Sequence, residues 1–201
     1  MSWADVLVLL MLRLPAHHLD EETPEERRAR VEVIAQAITE ASARATCRDA
    51  APEDGCVRHW PADERDLSVL LVTQAYWESR LARNVHEGRC RSYECDPYTS
   101  PLTGKIEHRS RSLWQLQLTS LVTEEWDRLV GTSIEATRNA AFAASKLLGR
   151  GFRACRTIPG AISRYAGVGD CHWRGAAPRH RQFLELRAAA ARLEREAAPA
   201  P

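Results

Sequence analysis

Residues 73–83 read TQAYWESRLAR and set a single acid, Glu78, into an otherwise greasy segment. Leu67, Leu70, Leu71 and Ala75, with Trp77 beyond them, recur at helical spacing and predict a largely buried helix whose last turns carry Glu78. Burial disfavours an ionised carboxylate and raises its pKa. An acid beside Tyr76 and Trp77 can therefore stay protonated near neutral pH, which is what a general acid requires. The same residues also fit a solvated helix end at which Glu78 pairs with Arg80, Arg83 or Arg111.

The chain around this stretch has 201 residues, enough for one domain with a real core. Hydrophobic residues at 44% exclude wholesale disorder, and charged residues at 27% argue against a membrane-embedded protein. With a net charge of +1 and its arginines interspersed with Glu and Asp, the chain carries no strong nucleic-acid footprint. A local cluster of Arg80, Arg83, Arg89, Arg91, Arg109 and Arg111 fits either an anionic polymer or a solvated face.

Six cysteines fall as sequence neighbours, Cys47 with Cys56, Cys90 with Cys95 and Cys155 with Cys171. Local disulfides are the natural reading and imply an oxidising compartment, although six cysteines allow about fifteen connectivities. A metal site built from His86, Cys90, Cys95 and His108 competes with it but lacks the paired CxxC spacing of structural zinc, so no metal and no cofactor are expected.

Taken in order, Val6 to Leu12 forms a short apolar run before Pro15. It is too short to span a bilayer. Asp5 stands where a signal peptide carries positive charge, so the run is read as a first helix or strand on the core, with an atypical export signal as the alternative. Thr23-Pro24-Glu25-Glu26 starts a helix that runs to about Ala45 on Val31, Ile34, Ala35 and Ile38. Residues 47–61 are a loop, and Asp63 caps the helix that ends at Glu78. Residues 84–111 carry loop chemistry over a length that suggests the wall or lid of a cleft. Residues 112–121 form a short strand or helical turn, and 124–130 and 133–148 are helices. The second bears a small-residue stripe through Ala136, Asn139, Ala140, Ala143 and Leu147, and Gly149 to Gly151 ends it. A short helix at 159–165 stops at Gly167 and Gly169. An amphipathic helix over 179–196, with Phe183, Leu184, Leu186 and Leu193, precedes a frayed tail.

Four pieces then fall in a recognisable order: Glu78-Ser79, Leu113-Trp114-Gln115, Asn139 in its alanine-rich helix, and Ala161 to Tyr165 with Gly167 and Gly169. Over about residues 67–171 this resembles the soluble lytic transglycosylase domain of the lysozyme superfamily, related to goose-type lysozyme. In that family a Glu-Ser pair is followed by Gly-Leu-Met-Gln, an Asn-led helix and Ala-Tyr-Asn-Ala-Gly. Here Ser112 stands at the family's Gly and Trp114 at its Met, and the Asn after the tyrosine is missing.

The resemblance implies a mainly α, lysozyme-like single domain with a long cysteine-containing loop. Residues 1–62 would be an N-terminal helical extension, 63–175 the catalytic core and 176–201 a C-terminal helix and tail. It further implies cleavage of peptidoglycan glycan strands between N-acetylmuramic acid and N-acetylglucosamine. Glu78 would be the single acid and base, and a 1,6-anhydro ring the product. Ser79, Trp114, Gln115, Asn139 and Tyr165 would bind substrate or orient Glu78. A monomer is expected, without nucleic acid or stable membrane insertion, in a periplasmic, extracellular or phage-associated setting.

Hydrolysis is the close variant. It needs a second carboxylate about 6.5 to 9.5 Å away, and Glu87, Glu94, Asp96 and Glu107 are its candidates. The other classes are a catalytically degenerate glycan-binding or structural module and, last, a helical adaptor.

Overall fold

Five helices begin on a short side chain that accepts the free N–H of the third helical residue: Ser2 from Asp5, Thr23 from Glu26, Asp63 from Asp66, Ser133 from Ala136 and Thr157 from Gly160. These caps place α1 at Trp3–Arg13, α2 at Pro24–Ala45 and α3 at Glu64–Ser79. After a one-turn α4 at Arg83–His86, the later helices are α5 at Ile134–Cys155, α6 at Ile158–Ala166 and α7 at Ala177–Ala197. Asp5, the acid that reads wrongly for a signal peptide, closes a capping box with Ser2. The computed structural model describes residues 1–16, 21–46, 63–89, 97–99, 101, 103–104, 106–108, 110–117, 128–167 and 169–197. The expected loop at 47–61, most of the expected 124–130 helix, and Cys47, Cys56, Cys90 and Cys95 lie outside the described residues.

Mainly helical architecture is what the sequence predicts, and α3 is its centre. It lies against α1, α2, α5 and α7 and is buried continuously from Asp66 to Tyr76. A helix covered on every side cannot offer its hydroxyls to water, so they turn back on its own carbonyls. Ser68 donates to Glu64, Thr73 to Val69 and Ser79 to Ala75, at 2.9, 2.8 and 2.8 Å. The core that surrounds α3 draws on Leu7, Leu10 and Met11 of α1, Ile34 and Ile38 of α2, and Phe183 of α7.

Residues 84–111 contain more than loop. Besides α4, β1 (Pro97–Thr99) pairs antiparallel with β2 (Ile106–His108), Tyr98 opposite Glu107. The segment after it, open between strand and helical turn, is a tight reversal over residues 112–115. It joins β3 (Ser110–Arg111) to β4 (Leu116–Gln117).

The glycines at 149 and 151 do not end α5, which continues to Cys155 and stops at Arg156 in the left-handed region, φ 63°. Gly151 serves packing instead. A Cβ there would stand 3.1 Å from the Cα and the carbonyl oxygen of Ala161, so the missing side chain lets the α6 backbone come close. Gly151→Val is expected to lose about 1–3 kcal/mol of stability in urea unfolding, because the obstacle is backbone that cannot rotate away.

Cys155 and Cys171 are joined, with Cα atoms 5.6 Å apart and a sequence separation of 16. The bridge ties the end of α5 to the turn beyond α6. Replacing both by Ser is expected to cost about 3 kcal/mol, read as a lower urea midpoint than the oxidised protein and unchanged by added reductant.

α7 begins two residues earlier than expected and buries Phe183, Leu186, Ala190 and Leu193. Leu184, expected among the apolar residues of this helix, is 46% exposed, one position off that stripe. No helix among the described residues is long and apolar enough to cross a membrane.

Candidate active site

The carboxyl of Glu78 sits in the last turn of α3, with 18% of its side chain exposed. Burial is the largest influence on it and pushes its pKa up; the Arg179 guanidinium and the hydrogen bond from it pull the other way without cancelling the rise. The partner is none of the arginines near in sequence. Arg179, in the first turn of α7, forms the ion pair through Nη1 and also donates to Oε1 of Gln74 at 3.3 Å. Arg80 lies over the rings of Tyr76 and Trp77, and Arg83 pairs with Glu26 and Glu87.

The chain leaves α3 through a strained hook. Arg80 and Leu81 are both left-handed, φ 55° and 54°, and Ser79 holds the bend. Its hydroxyl donates to the Ala75 carbonyl and accepts the Leu81 N–H at 3.2 Å. Ser79 is fully buried, so its hydroxyl shapes the backbone under Glu78 and does not face a substrate.

Trp114 and Gln115 lie in the 112–115 turn. Trp114 is buried, and its indole N–H donates to the Leu71 carbonyl of α3 at 3.0 Å, which anchors the turn to the helix that carries Glu78. It is a tether and not an open sugar-binding face. Gln115, half-buried and left-handed at φ 47°, donates from Nε2 to the Ser112 carbonyl at 3.2 Å. Ser112 is left-handed as well, φ 66°, and its Oγ accepts the Trp114 N–H at 3.3 Å.

Tyr165, on α6, donates its hydroxyl to the Trp114 carbonyl at 2.8 Å. Burial and then the Glu78 charge push its pKa up, with Arg179 opposing, so it stays a neutral donor whose field is coupled to the acid. Glu78, Trp114 and Tyr165, separated by up to 87 residues, are therefore linked through Leu71 and the turn backbone. Asn139, half-buried on α5, takes no part in the hydrogen bonds that make this link.

No protein-family model matches this chain, and no curated protein or solved structure matches it.

Of the expected second carboxylates, Glu87 is paired with Arg83 at 2.9 Å and with Arg89. Glu94, Asp96 and the side chain of Glu107 lie outside the described residues. His86, weighed as a metal ligand, is buried with its Nε2 on Thr137 Oγ1 at 2.8 Å. Cys90, Cys95 and the His108 side chain are outside the described residues, and no cluster of three metal-ligating side chains occurs among the described ones.

Two residues of the site were missed in the sequence. Gln74 is one helical turn before Glu78 and so lies on the same face, a buried amide on a leucine-rich helix that needed a partner. Arg179 falls four residues before Phe183, at the head of the stripe that continues through Leu186, Ala190 and Leu193. A charge at a buried stripe position is the signal that could have found it.

Proposed function

We propose that this protein is a lytic transglycosylase acting on peptidoglycan glycan strands, with Glu78 as its only acid and base. The observation that carries the reading is that three motif pieces are fastened to one another along the helix that bears Glu78. Trp114 ties the 112–115 turn to Leu71 in the middle of α3 and to Tyr165 of α6, and Tyr165 feels the Glu78 charge. Around that carboxyl, burial favours the protonated form. The left-handed backbone at residues 80, 81, 112 and 115 adds support, because strain of this kind is retained where a site needs it.

In this reaction Glu78 protonates the oxygen between N-acetylmuramic acid and N-acetylglucosamine as the C1–O bond breaks. Positive charge developing at C1 is met by the substrate's own acetamido oxygen, one of the exceptions to two-carboxylate glycosidase chemistry. Glu78, now a carboxylate, takes the proton of the muramic 6-hydroxyl as that oxygen bonds to C1 and closes the anhydro ring. Such chemistry belongs where peptidoglycan is reached, in the periplasm, outside the cell or on a phage particle. Mass spectrometry of digested peptidoglycan tests it. Anhydro ends are expected, and reducing ends in their place would assign the protein to the hydrolytic muramidases.

A second reading, a glycan-binding or structural module without turnover, is favoured by one feature. The Glu78 carboxylate and the Ser79 hydroxyl both have partners inside the fold, Arg179 and Ala75. Binding to peptidoglycan without release of soluble fragments is the outcome that would select it.

A further inference from the structure

Three ion pairs join α7 to α3: Arg65 with Glu194, Asp66 with Arg187, and Glu78 with Arg179. Their order makes the two helices antiparallel and brings the start of α7 onto the end of α3. Arg65 and Arg187 are 58% and 55% exposed, as surface pairs usually are, whereas Arg179 retains only 12%. A buried guanidinium needs acceptors for its rigid fork. Arg179 has the Glu78 carboxyl, the Gln74 amide oxygen at 3.3 Å and the face of Trp77, whose ring centre lies 5.5 Å from its Cζ. Gln74 is fully buried and so cannot swing away.

We propose that Arg179 is a positioning residue for Glu78: it fixes the carboxyl's orientation and holds the anion that remains once the proton has left. The inference rests on the glycan-cleaving reading only for where that proton goes. A lone carboxyl must give its proton to the leaving oxygen and later take one from the 6-hydroxyl. The proton balance closes on Glu78, with no water or co-reactant entering. Between the two steps the desolvated carboxylate needs a counter-charge that does not have to move into place, and Arg179 stands there already.

Carbon-13 labelling of glutamate, with the Glu78 resonance assigned by its loss in Glu78→Gln, lets the carboxyl be titrated by NMR in the full chain. In Arg179→Gln its midpoint is expected to rise by about one to three pH units. In Arg179→Lys it stays close to wild type, because the charge is kept. Arg187→Gln, which breaks the neighbouring α3–α7 pair, leaves it unmoved. With peptidoglycan as substrate, kcat falls roughly 10- to 100-fold in Arg179→Gln and partly recovers in Arg179→Lys, with KM changed by less than about twofold. The alkaline limb of the pH–rate profile moves up in Arg179→Gln.

An unmoved Glu78 midpoint in a folded Arg179→Gln overturns the proposal. Should Arg179→Gln not fold, full wild-type kcat in Arg179→Lys overturns it, since the shorter lysine cannot bring its ammonium to where Nη1 meets both Glu78 and Gln74. Intact peptidoglycan after incubation with wild type, together with a raised midpoint in Arg179→Gln, rejects glycan cleavage and leaves the Arg179–Glu78 assignment standing.

Discussion

Glu78→Gln is expected to lower the rate of peptidoglycan solubilisation by about 10²–10⁴-fold, the usual contribution of one positioned acid or base, and to abolish anhydro-muropeptides in the digest. The fold should survive the change. Glutamine keeps an amide oxygen for Arg179 and relieves the site of a desolvated carboxylate, so the lost ion pair and the lost desolvation penalty offset one another to within about 1 kcal/mol. Turbidity loss, mass spectrometry and far-ultraviolet circular dichroism on the same preparation separate lost chemistry from lost structure. Because Glu78 must begin protonated and burial raises its pKa, the wild-type rate should fall as pH rises through that elevated pKa. Equal clearance by wild type and Glu78→Gln would remove Glu78 from the chemistry.

What the sequence could disclose about this site depended on how local the interaction was. The Thr23-Pro24-Glu25-Glu26 start, the Asp63 cap and the apolar spacing of α3 are decided within a turn or two of chain, and the helices they predict are present. The continuation of α5 past Gly149 and Gly151 was hidden because it is decided by α6. Glycine weakens a helix by about 1 kcal/mol, and close contact with the Ala161 backbone outweighs that cost. The partner of Glu78 was hidden for the same kind of reason. Three arginines lie within reach along the chain or its neighbouring loop, yet the one that pairs with it comes 101 residues later, brought there by the antiparallel seating of α7. Ser79 and Trp114 are a further lesson. Their positions match a motif, but their polar atoms bond to the α3 backbone, and they shape the site from beneath.

Below about pH 6.5 the protein is expected to lose stability at up to about 1.4 kcal/mol per pH unit through the deeply buried His86. His86 is 2% exposed, and its Nε2 lies 2.8 Å from Thr137 Oγ1. The Thr137 hydroxyl spends its one hydrogen on the Ser133 carbonyl at 2.8 Å, so it can only accept from His86. That assigns the neutral tautomer with its proton on Nε2 and leaves Nδ1 buried without a partner among the described residues. A second proton would have to go on Nδ1, where no described residue accepts it. Burial first, and then the Arg30 charge, bring the His86 pKa down to about 3. Arg30 cannot retreat, because it is held by both carboxylate oxygens of Glu22 at 2.7 and 2.8 Å and by the Leu81 carbonyl at 2.8 Å.

The unfolded chain therefore binds a proton at His86 that the folded chain refuses. The stabilisation is complete above the ordinary histidine range and drains away as pH falls from about 6.5 towards about 3, roughly 5 kcal/mol from this group taken alone. Glu78 and Asp66 oppose part of it. Their raised pKa values mean that the fold takes up their protons before the unfolded chain does, which favours the folded state as pH drops through the carboxylate range. The part of the loss that belongs to His86 is therefore read as the difference between the wild type and a variant without the histidine. Urea midpoints measured at half-unit intervals check this, with His86→Leu as the comparison. The leucine variant should be less stable at pH 7.5 yet lose far less on going to pH 5, and parallel curves for the two proteins would show that His86 is not the group responsible.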